Sequence, residues 1–143
     1  MLTKWDARFL EMASLVATWS KDPSTKVGAV IVDGKQRVVS QGFNGFPRGV
    51  QDRVDVSRET KLARTIHAEA NALLYAQRDL SGCSLYVTRP PCSNCAALII
   101  QSGIARVVYE APDPEFMLRW HASIGESLAM FSEAGIEVLS MEV

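Results

Sequence analysis

The sequence predicts a three-layer α/β/α fold built on one mixed five-stranded sheet. Three observations carry this. Helix-period and strand-period segments succeed one another in the order αββαβαβαβ. Asp33-Gly34 between two β-branched runs is a hairpin signal, so the first two strands are expected to be antiparallel. The last three strands are separated by helical segments, and such crossovers favour parallel, right-handed neighbours.

Trp5, Phe9, Met12, Val16 and Trp19 recur at helical spacing, which predicts an amphipathic helix over 3–20 whose aromatics pack in the core. Lys21-Asp22-Pro23-Ser24-Thr25 ends it. Residues 27–32 and 37–43 read as the hairpin strands. The stretch 44–64 is first polar and punctuated by Gly and Pro, then helical in composition. A helix is expected over 67–78, rich in Ala and Leu, followed by a strand over 84–88. The run 93–101 is a second helix, with Pro91 suited to its entrance and Gly103 to its exit. A strand over 106–109 leads to a last helix opened by Pro112 and Pro114, stopped by Gly135 and followed by a strand over 136–141.

With 143 residues and 48% hydrophobic composition, the chain is expected to form one domain, 1–143, with a core that needs no disulfide. The 15 basic and 16 acidic residues leave a net charge of −1, which argues against a large polynucleotide partner. Three cysteines point to a reducing compartment. No apolar run is long enough to span a bilayer, and the N-terminus lacks the form of a signal peptide. A soluble, cytoplasmic protein without a membrane partner is expected.

Two segments carry chemistry: His67-Ala68-Glu69 and Pro91-Cys92-Ser93-Asn94-Cys95. Each falls at an expected helix start, where thiolates gain from the positive end of the helix dipole. One imidazole and two thiolates can hold zinc and leave its fourth position for a water whose pKa the metal lowers. A carboxylate beside that water can carry protons. His67, Cys92 and Cys95 are therefore the expected ligands of one zinc per chain, and Glu69 the catalytic acid–base. A purely structural zinc in a non-enzymatic module would need a fourth protein ligand. The remaining candidates are Cys83, which reads as a small buried residue at a strand start, and His121, which reads as a surface or capping residue on the last helix.

The motif H-x-E followed by P-C-x-x-C is that of zinc-dependent base deaminases. Together with Lys21-Asp22-Pro23-Ser24-Thr25 and Phe43-Asn44-Gly45-Phe46-Pro47, it makes the chain resemble the cytidine/deoxycytidylate deaminase superfamily, and within it the deoxycytidylate deaminases. The resemblance implies a cytidine-deaminase-like fold and hydrolysis of dCMP to dUMP and ammonia, with dUMP passing to thymidylate synthesis. It also implies substrate contacts from the loop of Lys21, Ser24, Thr25 and Lys26, from Asn44 and Ala68, and from an aromatic at Tyr109. Phe46, Arg48 and Arg89 are candidates for phosphate or effector contacts, with dCTP and dTTP as candidate effectors. A homo-oligomer, often a hexamer, is the expected assembly. Two features depart from the pattern: Val50 and Ile66 stand where relatives often carry Cys, and the short stretch before His67 holds no cysteine for a second zinc. A broader deaminase accepting dCTP or 5-substituted dCMP, and a tRNA adenosine or polynucleotide cytidine deaminase, are the alternative activities. Asn44 before Gly45 also fits a plain turn, Lys21 and Lys26 fit solvated charges, and Tyr109 fits ordinary packing.

Overall fold

The computed structural model describes residues 1–53 and 55–143. Helix α1 spans Lys4–Ala17, strands β1 and β2 span Gly28–Val32 and Val38–Phe43, and a short helix α2 spans Arg58–Arg64. Then come α3 (Ala68–Ala76), β3 (Ser84–Val87), α4 (Ser93–Gln101), β4 (Arg106–Glu110), α5 (Pro114–Ala134) and β5 (Glu137–Met141). The sheet order is β2-β1-β3-β4-β5. Strand β1 is antiparallel to both neighbours, and β3, β4 and β5 run parallel. This is the expected mixed sheet. Among the described residues, no helix is long and apolar enough to cross a membrane.

Boundaries moved where side chains intervene. Helix α1 stops at Ala17, short of residue 20, because the chain turns there and the Ser20 hydroxyl donates to the Asn44 carbonyl at 2.8 Å. Helix α3 stops at Ala76, short of residue 78, because Gln77 adopts a left-handed conformation with φ 52°. The hairpin is wider than a two-residue turn. The Asp33 carboxylate accepts from the amides of Lys35 and Arg37, at 2.8 and 3.1 Å, and Gln36 takes φ 62°.

Strand β1 is buried along its whole length because both of its faces are covered. On one face, Phe9, Leu10, Ala13 and Val16 of α1 pack on Val30, Val32, Tyr86 and Val108. On the other, Ala68 and Ala72 of α3, Ala96 and Ile99 of α4 and Phe131 of α5 pack on Ala29, Ile31, Leu85 and Val107. Burying one of the larger of these side chains stabilises the fold by about 1.5–3 kcal/mol.

Helix α3 lies unusually close to β2. A Cβ added at Gly42 would fall 2.5 Å from the Ala72 nitrogen and 2.6 Å from the Ala68 oxygen. The small side chains of Ala68 and Ala72 permit this approach. The Ser40 hydroxyl donates to the Ala72 carbonyl at 2.7 Å, and the Asn71 amide donates to the Phe43 carbonyl at 2.8 Å. On the opposite face, Asp6 is 1% exposed. Its carboxylate accepts from the Tyr86 hydroxyl at 2.8 Å and from both Arg106 terminal nitrogens at 2.7 and 2.9 Å. It also closes the α1 capping box through the Thr3 amide.

Gly42→Ala meets backbone atoms that cannot yield, so it should cost about 3 kcal/mol in chemical denaturation, the upper end for overpacking. Burial alone would raise Asp6, but hydrogen bonds from Arg106, Thr3 and Tyr86 outweigh it and hold the carboxyl at about 2. A depressed folded pKa gives stability that is complete above the ordinary value of 3.8 and is lost as pH falls through about 2. Arg106→Met should therefore cost about 3–5 kcal/mol at neutral pH. The deficit relative to the parent chain should shrink across that acid window in pH-resolved melts.

Candidate metal centre and active site

The starts of α3 and α4 converge at the carboxyl ends of β2 and β3. His67 is the N-cap of α3 and Cys92 the N-cap of α4, and neither side chain caps its own helix. They turn towards each other and towards Cys95 in the first turn of α4. His67 Nδ1 lies 3.4 Å from Cys92 Sγ and 3.3 Å from Cys95 Sγ, and the three donor atoms lie within 4.8 Å of one another. A tetrahedral zinc with bonds of about 2.0 Å to nitrogen and about 2.3 Å to sulfur separates those ligands by about 3.6 Å, so the trio fits the ion.

The electrostatics suit a cation. Hydrogen bonding from the Cys95 thiol, then from His67, outweighs burial and lowers the Cys92 thiol to about 4. Cys95 is pushed upward, mainly because its thiol donates to Cys92 and because it is buried. His67 is raised, chiefly by its bond with Cys92. The trio thus shares protons that a metal displaces on binding. Cys83 is buried in the core and His121 is exposed. Among the described residues, the potential metal-binding group is His67, Cys92 and Cys95 alone.

Glu69, in the first turn of α3, is 4% exposed and lines the same cavity as His67 and Cys92. Burial pushes its carboxyl up to about 7. A carboxyl poised there can both accept and deliver protons near neutrality. The cavity has a volume of about 360 Å³, the size of a small-molecule site.

Of the residues singled out by sequence, Ser24, Thr25, Asn44, Ala68 and Arg89 line this cavity. Asn44 is buried, and its amide is largely committed to the neighbouring loop. Its oxygen accepts from the Val27 amide at 2.8 Å and its nitrogen donates to the Thr25 carbonyl at 2.9 Å. Arg89 stacks on Phe116 at 4.7 Å and pairs with Asp113 at 3.3 Å. Lys21 and Phe46 line a smaller adjoining cavity of about 200 Å³, where Lys21 pairs with Asp52 at 2.9 Å. Lys26 is exposed and lies outside both linings. Arg48 stacks on Tyr75 and donates to its hydroxyl, away from the cavities. Tyr109 packs against the core rather than lining either cavity.

The structure adds residues that sequence reasoning missed. Arg58, Lys61 and Leu62 enter the cavity wall from α2, and Phe116, Arg119, Trp120 and Ile124 from α5. Lys61 pairs with Asp22 at 2.8 Å and also donates to the Ser24 hydroxyl, which ties α2 to the loop after α1. Burial would raise Asp22, but Lys61 and the amides of Thr25 and Ser24 hold it low. The i, i+4 spacing of Phe116, Trp120 and Ile124 was the available signal, yet such a stripe reads equally as core packing.

Residues 3–111 match the family model of the cytidine and deoxycytidylate deaminase zinc-binding region. The chain is 54% identical over 139 residues to an uncharacterized deaminase in the luxG 3′ region of Aliivibrio fischeri, covering 96% of this chain and 94% of that protein. It is 40% identical over 114 residues to the deoxycytidylate deaminase of Homo sapiens, covering 74% of this chain and 64% of the human protein. Among solved structures, the dCMP deaminase of cyanophage S-TIM5 in complex with dCMP and dUMP matches with a TM-score of 0.82, 25% identity and 99% coverage of each chain.

Elemental analysis of purified protein should find about one zinc per chain, and Cys95→Ala should abolish it. Glu69→Gln, outside the ligand trio, should retain the metal in full. Loss of zinc from that variant would make Glu69 a ligand.

Proposed function

Because the chain belongs to the cytidine and deoxycytidylate deaminase family, we propose that it hydrolyses dCMP to dUMP and ammonia. The observation that carries this reading is a buried Glu69 beside a zinc-competent His/Cys/Cys trio, in a cavity whose wall includes four cationic side chains. His67, Cys92 and Cys95 would hold the ion, which supplies an activated water when bound. Glu69 takes one proton from the attacking water and passes it to N3 of the cytosine ring as the oxygen bonds to C4, then takes the second proton from that oxygen and delivers it to the amine as the C4–N bond breaks and ammonia leaves. Phe116 and Trp120, with ring centroids 6.1 Å apart, offer apolar faces to the base or sugar.

A nucleoside monophosphate brings two negative charges, which need cations. Arg58, Lys61, Arg89 and Arg119 meet that need from two sides of the cavity, a better-placed set than Lys21 and Lys26. In the adjoining cavity, Lys21 and Arg53 are the cations that a dCTP or dTTP effector would meet beside Phe46, and each is paired with an aspartate, Asp52 and Asp55, that such a ligand would displace. Exposed Leu74 and Tyr75 on α3 and Leu98 on α4 supply apolar surface for a homo-oligomer. Three free cysteines are consistent with a cytoplasmic setting.

An ammonia-release panel of deoxycytidine, dCMP, dCTP, CMP and a tRNA anticodon stem tests the substrate. dCMP should exceed deoxycytidine in kcat/KM by orders of magnitude, and equal turnover of the two would contradict the reading. Glu69→Gln should lower kcat by about 10²–10⁴-fold. Arg58→Ala combined with Arg119→Ala should raise KM for dCMP by about 10–100-fold, the scale of lost charge-assisted bonds, while leaving residual deoxycytidine turnover nearly unchanged.

A further inference from the structure

We propose that Ser123 and Ser127 of α5 are positioning residues for the metal-binding turn, clamping the peptide groups on either side of Cys92. The inference rests on the zinc-site reading above and extends it to a helix outside the family-matched residues 3–111.

An N-cap residue ordinarily satisfies a first-turn amide of its helix with a side-chain oxygen. Cys92 occupies the N-cap of α4 but makes no such bond, because its sulfur faces His67. The Ser93 amide, first in the helix and one that an N-cap side chain does not ordinarily reach, is satisfied from another helix: the Ser123 hydroxyl accepts from it at 2.8 Å. One turn further along α5, the Ser127 hydroxyl donates to the Pro91 carbonyl at 2.8 Å. Residues four apart share a helix face, so both hydroxyls reach the same turn.

These two bonds act on different peptide planes. The Pro91 carbonyl belongs to the plane before Cys92 and the Ser93 amide to the plane after it. Holding both planes fixes the Cys92 backbone, at φ −73° and ψ 169°, and with it the direction in which Sγ leaves the chain. Ser127 is 1% exposed, so water cannot replace it. Its hydroxyl also lies 3.0 Å from the Ser123 carbonyl of its own helix, and a serine inside a helix commonly makes only that local bond. Here the bond across to Pro91 is the shorter one. Ser123 further donates to the Ser93 hydroxyl at 3.2 Å, which orients its lone pairs towards the Ser93 amide.

Partners one shell beyond a metal's ligands typically change metal affinity by about 10–100-fold. The test uses zinc-loaded full chain and follows zinc release to a chromophoric chelator, with no nucleotide present. Ser123→Ala and Ser127→Ala should each speed release by about tenfold or more. Ser123→Thr, which keeps the hydroxyl, should restore the parent rate, and Ser132→Ala on the exposed side of α5 should match the parent. Melting temperatures of loaded and stripped protein provide the second readout, and the variants should lose mainly the increment that zinc adds. The half-buried Ser123→Ala keeps the test available if Ser127→Ala fails to fold. Unchanged release in Ser123→Ala, or equal loss of stability in loaded and stripped forms, would overturn the clamp. Either result is obtained without substrate, so it is separable from a failure of dCMP turnover.

Discussion

The close seating of α3 on β2 at Gly42 is the constraint on which the site depends. With no Cβ at Gly42 and only methyl groups at Ala68 and Ala72, the helix approaches the strand to backbone contact. Ser40 and Asn71 lock that position with hydrogen bonds. Since His67 and Glu69 sit at the start of this helix, the sheet sets their height and direction. A bulkier interface would leave the ligand atoms apart from Cys92 and Cys95, however well α4 were placed.

The second support comes from the C-terminal helix. Helix α5 forms one wall of the cavity with Phe116, Arg119 and Trp120, and it holds the cysteine turn through Ser123 and Ser127. One helix thus serves the shape of the substrate space and the geometry of the metal trio. Helix α2 closes the opposite side. None of its residues is buried, and its tie to the body runs through Lys61, Asp22 and Ser24.

The fold was legible because its signals are local. Periodicity marked the helices, β-branched runs marked the strands, and helical crossovers implied the parallel order of β3, β4 and β5. The metal trio was legible because ligand chemistry demands specific residue types at short spacing. The cationic lining of the cavity was less so. Lys21 and Lys26 lie in the substrate loop by sequence, but Lys21 points into the adjoining cavity towards Asp52, and Lys26 lies outside both cavities. Arg58 and Arg119 reach the main cavity only because α2 and α5 fold over it, a juxtaposition across sixty residues that no local pattern reveals. Tyr109 shows the same limit: its place at the end of β4 was evident, but which face it takes depends on helices packed later.

The trio of His67, Cys92 and Cys95 calls for a zinc held by one imidazole and two thiolates, with its fourth position open. X-ray absorption at the zinc edge of the purified protein tests it most directly. That ligand set gives two sulfur scatterers at about 2.3 Å and two nitrogen or oxygen scatterers at about 2.0–2.1 Å. A shell of three or four sulfurs, or one without sulfur, would contradict it.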